Sequence, residues 1–211
     1  GTLQVGIGGI GQSGIGATMV TSGSTLLGTG FVQGISFTAA SGATIHAGDG
    51  TAQANYGTLT FMPTSGSGAF DFQSGSTIVL GINPGGTSDL LNFVGTGTNT
   101  LLFSGNLTVG PVSLTPLAEE TFNLLDWSGL SATPTFDSRY TYTGRLFGNG
   151  DEAAGFDLPD ISGSDYYWDI SNFINQGTIS IVLVPEPSRA ALMLIACLAV
   201  FLRRSRHISK F

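Results

Sequence analysis

Apolar and polar positions alternate in short bursts along residues 1–184. Leu3/Val5, Leu59/Phe61, Leu101/Phe103 and Ile179/Ile181 each place two apolar side chains on one face of a segment that opens with Thr2, Thr58, Thr100 or Thr178. A period of two is the mark of a half-buried strand. A second pattern, SG-[SA]-T-[LI], recurs at Ser22–Leu26, Ser41–Ile45 and Ser74–Ile78. Gly, Ser, Asn and Asp fill the intervals and supply sharp turns, including those that need positive φ. Helix is disfavoured throughout this region, because glycine and β-branched residues are too frequent.

Strands of three to five residues, with recurring fragments between them, predict an all-β body of stacked, similar rungs. The expected fold is a right-handed parallel β-helix (a solenoid) with C-terminal cap rungs, followed by a single C-terminal transmembrane helix. A β-sandwich is the competing architecture. Repeat spacing is irregular, since the interval from Ser22 to Ser41 is much shorter than the next one, from Ser41 to Ser74. With rungs of about 21 residues stacked about 4.8 Å apart, the body would be about 40 Å long.

Composition divides the chain into three. Residues 1–110 hold 8 aromatic and 3 charged side chains, whereas residues 111–184 hold 11 and 12. The first part reads as solenoid rungs. The second reads as terminal rungs and a cap that covers an open sheet edge, or as a small separate β domain. Residues 185–211 form a tail of different character. Up to Val184 the only cations are Arg139 and Arg145, against 13 acids, a balance of −11; beyond Pro187 there are five cations and no acid. An acidic body is repelled by phosphate backbones, which excludes nucleic acid as a partner. The single cysteine, Cys197, allows no internal disulfide and reads as a small apolar residue. The opening GTLQVG reads like the inside of a repeat, so the sequence is expected to be the C-terminal piece of a longer, exported precursor.

The tail runs from a Pro-Glu-Pro hinge through the uncharged stretch Ala190–Leu202 to a basic tip. Thirteen helical residues span about 20 Å, short of a hydrocarbon core of about 30 Å. Snorkelling by Arg189 and by the basic stop Arg203, Arg204 and Arg206 would have to absorb the difference. The expected anchor comprises Ala190, Leu192, Leu194, Ile195, Leu198, Val200, Phe201 and Leu202, with the arginines on the cytoplasmic side. Val184, Pro185, Glu186, Pro187 and Ser188, followed by this apolar run and basic end, resemble the PEP-CTERM sorting signal of Gram-negative bacteria. The resemblance implies an exosortase-type processing enzyme as partner, with Pro185, Glu186 and Pro187 as the recognised residues. It further implies a precursor anchored in the inner membrane and later delivered to the cell surface or extracellular matrix. Thr2–Gly6 with the glycine-rich turns after it, and Trp168–Ser171 with Gly177–Ile181, resemble the autotransporter-associated β-strand repeat, which implies an exported right-handed β-helix.

Candidate chemistry is sparse. Gly6, Gly8 and Gly11 satisfy G-x-G-x-x-G, but no helix-forming sequence follows to donate amides to a pyrophosphate, and the first acid is Asp49. The stretch 148–169 gathers Asp151, Asp157 and Asp160 with further acids, hard oxygen ligands that calcium would accept, though without EF-hand spacing. No other cofactor is expected. His46 and His207 lack a thiol partner for zinc. Tyr166, Tyr167 and Trp168 are candidates for stacking on sugar rings, with packing as the competing role. The functional expectation is a non-enzymatic, exported, structural or adhesive rod that contacts exopolysaccharide or cell-surface glycans. The alternatives are a polysaccharide-acting enzyme using the carboxylates with Arg139 or Arg145, and a calcium-dependent glycan-binding module.

Overall fold

A computed structural model describes residues 1–6, 11–48, 56–64, 66–83, 85–95, 97–110, 118–148 and 155–184. The chain winds in successive coils, each contributing a strand to up to three parallel sheets. The first coil gives β1 (Thr2–Val5) and β2 (Thr18–Val20), the second β3 (Thr25–Gly28), β4 (Phe31–Gly34) and β5 (Phe37–Ala39). The third gives β6 (Thr44–Ala47), β7 (Thr58–Pro63) and β8 (Ala69–Phe72). The fourth gives β9 (Thr77–Asn83), the short β10 (Thr87–Ser88), β11 (Leu90–Val94) and β12 (Thr100–Phe103). The fifth gives β13 (Asn106–Gly110), β14 (Glu120–Asn123), β15 (Leu125–Gly129) and β16 (Thr135–Phe136). A 3-10 turn at Ser138–Thr141 leads to β17 (Phe156–Asp157), β18 (Tyr166–Asp169), α1 (Phe173–Gln176) and β19 (Thr178–Leu183).

The strand orders are β1-β3-β6-β9-β13-β17, β4-β7-β11-β15 and β2-β5-β8-β12-β16, all parallel; β10 folds back antiparallel on β9. Six levels at about 4.8 Å each make the first sheet about 24 Å across, shorter than the expected rod. The reason lies in the excursions between strands, which consume chain without adding levels. The step from Thr44 to its partner Thr77 is much longer than the step from Thr2 to Thr25.

Register builds the core. Leu3, Leu26, Ile45, Ile78, Leu107 and Phe156 form one aligned inward column. Val32, Phe61 and Phe93 form another, and Val20, Ala39, Phe72, Phe103 and Phe136 a third. Aromatic rings meet along the axis: Phe61 stacks on Phe93 at 5.2 Å between centroids, and Phe72 meets Phe103 at 5.3 Å. Leu3 alone in its column is exposed (53%), because no described coil covers it.

The SG-[SA]-T repeat is the turn from the third sheet to the first. Gly23, Gly42 and Gly75 hold φ between +72° and +84°, and the amides of Gly23 and Gly42 donate to the carbonyls of Gly42 and Gly75 in the next coil. A Cβ on Gly42 would strike Ser22 Oγ, so both the left-handed backbone and the close approach call for glycine. Where the fourth coil turns from the first sheet to the second, the buried Asp89 carboxylate accepts from the amides of Gly81 in the same coil and Gly57 in the third, each at 2.7 Å.

The C-terminal part continues the three parallel sheets with β15, β16 and β17, then adds an antiparallel sheet in the order β14-β19-β18. Helix α1 carries Phe173 onto the end of the aromatic column, against Phe103, Phe136, Tyr140 and Phe156, the last at 4.8 Å. Gly177, at φ +72°, ends the helix, and its carbonyl accepts from the Leu124 and Leu125 amides.

The expected transmembrane helix is corrected. Among the described residues no helix is long and apolar enough to cross a membrane, and α1 is a single turn. The anchor stretch, Ala190 to Leu202, lies outside the described residues. The sequence carries the physical reason: a stretch of thirteen residues, even if wound as continuous helix, would fall about 10 Å short of a hydrocarbon core. Inner-membrane anchoring as part of the protein's function and location loses its support with the helix.

Candidate functional site

The most regular polar feature among the described residues is the outer face of the first sheet. Thr2, Thr25, Thr44 and Thr77 stand in register, and Asn106 continues the column. Beside it run Gln4, Leu27, His46, Val79, Thr108 and Asp157. Strand alternation turns these side chains outward once Leu3, Leu26, Ile45 and Ile78 turn inward. The result is a row of hydroxyls about 4.8 Å apart, with threonine methyls between them. Each threonine is visible in the sequence as the first residue of its strand. Their alignment is not, because the successive steps from Thr2 through Thr25, Thr44 and Thr77 to Asn106 are all unequal and conceal the period.

Several acids of the C-terminal part, inside the acid-rich stretch 148–169 and ahead of it, do another job. Asp126, Asp137, Asp160 and Asp169 each accept a hydrogen bond from the amide two residues on, at Ser128, Arg139, Ser162 and Ser171, with distances of 2.8–2.9 Å. These are Asx turns, local devices that reverse the chain. The Ser162 hydroxyl and amide hold the Asp160 carboxyl below its ordinary range. Asp157 lies in β17 with an exposed side chain, in register with Thr108. Asp151 lies outside the described residues. Among the described residues no group of three or more His, Cys, Asp or Glu could hold a metal ion, so Asp157 and Asp160 are not brought into one ligand set there.

Both cations of the body are engaged. Arg139 donates from Nε to Asp137 at 3.1 Å, from one terminal nitrogen to Asn106 Oδ1 at 2.6 Å and from the other to the Ser104 carbonyl at 2.9 Å. It ties the 3-10 turn to the start of β13. Arg145 sits over the Tyr167 ring, 4.8 Å from its centroid. A polysaccharide-acting site would draw on these two guanidinium groups; among the described residues Arg139 is held by Asp137, Asn106 and Ser104, and Arg145 lies over an aromatic ring.

Of the aromatic residues considered for sugar stacking, Trp168 is fully buried, with Nε1 donating to the Pro159 carbonyl at 3.0 Å. Tyr140 is also buried; its hydroxyl donates to the Gly105 carbonyl at 2.5 Å, and burial pushes its phenol well above the ordinary range. Tyr142 faces solvent. The glycine-rich stretch that mimics a dinucleotide loop leads to Gln12, which pairs with Phe31 in a parallel bridge, and then to β2. A strand position therefore follows the glycines, and no helix N-terminus is there to receive a phosphate.

Of the sorting motif, Val184 is described. Its amide donates to the Asp165 carbonyl at 2.7 Å, which ends the antiparallel sheet there. Pro185, Glu186, Pro187, Ser188 and the basic stop Arg203, Arg204 and Arg206 lie outside the described residues. No protein-family model, curated protein or solved structure matches the chain.

Proposed function

We propose that the chain is an exported, non-enzymatic structural rod that presents the threonine-lined face of its first sheet to neutral matrix glycans. The observation that carries this reading is the contrast between that face and the rest of the surface. Four aligned threonines offer repeated donors and acceptors, whereas the carboxylates of Asp126, Asp137, Asp160 and Asp169 close turns. An acidic body favours neutral over anionic polymers, since like charges repel. Residues 184–188 are a processing signal read by an exosortase-type enzyme, a role supported by their resemblance to the PEP-CTERM motif.

Two measurements test the reading. Mass spectrometry of the mature C-terminus in a Gram-negative host carrying an exosortase should find a truncated chain, and Pro185→Ala should preserve the full one. An intact tail in both refutes processing at this motif. Sedimentation with neutral exopolysaccharide should fall for the pair Thr44→Val and Thr77→Val, which keeps shape and β-propensity while deleting hydroxyls; unchanged binding refutes the face.

A further inference from the structure

We infer that the outer face of the antiparallel sheet carries a second contact for neutral glycan, in which Arg145 and Asp169 hold two adjacent hydroxyls of one sugar ring. The ligand class rests on the function proposed above. The site does not, since it lies on the sheet β14-β19-β18 and away from the threonine face.

Register builds this face. Trp168 and Leu146 are buried, and they exchange backbone hydrogen bonds at 2.8 and 3.4 Å in an antiparallel bridge. The neighbours of an inward residue in extended chain point the other way. Tyr167 and Asp169 therefore turn outward beside Trp168, as do Arg145 and the exposed Phe147 beside Leu146. Continuing the bridge by one residue sets Arg145 opposite Asp169, which is itself in register with Ser180 and then Thr121. A polar row thus crosses the sheet, and its two hydroxyls, on Ser180 and Thr121, are hydrogen-bonded to each other at 2.8 Å.

The two charges of the row are not spent on each other. Among the described residues the sole ion pair joins Arg139 to Asp137. Arg145 instead reaches diagonally to Tyr167, its guanidinium carbon 4.8 Å from the ring centroid. That contact fixes the cation and uses none of its N–H donors on an oxygen. Asp169 gives Oδ1 to the Ser171 amide, and a carboxylate accepts through both oxygens. A fork of donors and an acceptor therefore stand side by side on a preorganised sheet, which lowers the cost of binding.

Charge then selects the ligand. An anion would meet Asp169 and a body whose balance through Val184 is −11, and a cation would meet Arg145. A hydroxyl both donates and accepts, so adjacent hydroxyls on a neutral ring satisfy the carboxylate and the guanidinium together. Phe147 offers the C–H face of the ring an apolar surface.

The test is affinity electrophoresis of the full chain through gels containing dextran, whose rings keep adjacent hydroxyls. The comparison polymer is the same dextran after periodate cleavage and borohydride reduction, which is neutral but has lost those pairs. Wild type should be retarded by dextran and less by the cleaved polymer. Arg145→Ala should weaken retention about tenfold, the worth of one hydrogen bond to a charged group. Arg145→Lys, which keeps charge but not the fork, and Asp169→Asn, which keeps the Asx turn, should also lose it. Tyr167→Phe keeps the ring and should bind as wild type. Unchanged thermal unfolding of each variant checks the fold. The pair Thr44→Val and Thr77→Val separates this site from the threonine face: loss with that pair and none with Arg145→Ala overturns the present proposal alone, and the reverse overturns the threonine face alone. A wild type that dextran does not retard, or that the cleaved polymer retards equally, also overturns the proposal.

Discussion

Gly163 and Gly177 form a natural pair for separating backbone conformation from tertiary contact. Both have left-handed backbone, at φ +82° and +72°. A Cβ at Gly163 meets nothing within 4 Å, whereas at Gly177 it would run into the Leu125 carbonyl oxygen. Alanine at Gly163 therefore bears the left-handed penalty of about 1–2 kcal/mol, partly offset by a less flexible unfolded chain, for a net cost of about 1 kcal/mol. Alanine at Gly177 bears the same cost and also forces β15 away. That movement endangers the two hydrogen bonds its carbonyl accepts from Leu124 and Leu125, at 2.9 and 3.2 Å. At about 1 kcal/mol for each bond, the total comes to about 3 kcal/mol before any strain in β15. In a chain of this length each kcal/mol lowers Tm by about 2–4 °C. Urea unfolding and calorimetry of Gly163→Ala and Gly177→Ala should therefore differ by about 2 kcal/mol, or roughly 4–8 °C. Equal losses would refute the docking of the helix cap on β15, and with it the closure of the coil.

Phe173→Ala should destabilise by about 3–5 kcal/mol, because the ring is fully buried against four aromatic neighbours and leaves a cavity between parts that cannot collapse; denaturant unfolding and near-ultraviolet dichroism measure it, and a cost below about 1 kcal/mol would mean α1 does not plug the core. The Arg139 amide, with the Arg139 side chain and charge behind it, holds the Asp137 carboxyl below its ordinary range. A carboxyl lowered on folding adds stability above its unfolded pKa and loses it as pH falls through the folded value. Tm should therefore drop on acidification below about pH 4, and Asp137→Asn should show a smaller drop over the same window; an identical acid profile would remove Asp137 from the account.

The local signals in the sequence were strong. Period-two apolar pairs at Leu59/Phe61 and Leu101/Phe103 determine strands, because only one face of each can be buried. The glycines at 23, 42 and 75 determine turns, because their backbone conformation is costly for any other residue. What those signals do not carry is sheet membership. Four look-alike segments, opening at Thr2, Thr58, Thr100 and Thr178, lie in the first, second and third parallel sheets and in the antiparallel cap. Their side chains are equivalent, and only the lengths of the intervening excursions decide which edge each one meets.

The acid-rich stretch shows the same division. Composition raises a metal site, and the fold spends Asp160 and Asp169 on short Asx turns. Arg139 and Arg145, the sole cations of the body, were legible as chemistry. Tertiary structure gave one to a turn and β13, the other to an aromatic face. The threonine face was the feature least accessible to sequence reasoning, because contacts between Thr2, Thr25, Thr44 and Thr77 span irregular intervals that no fixed period can reveal. Sequence alone thus determined strand, turn and inward face, which are properties of a few neighbouring residues. The joining of distant strands into columns required the whole coil, because parallel pairing is a long-range contact whose partner is set by loop length and core packing.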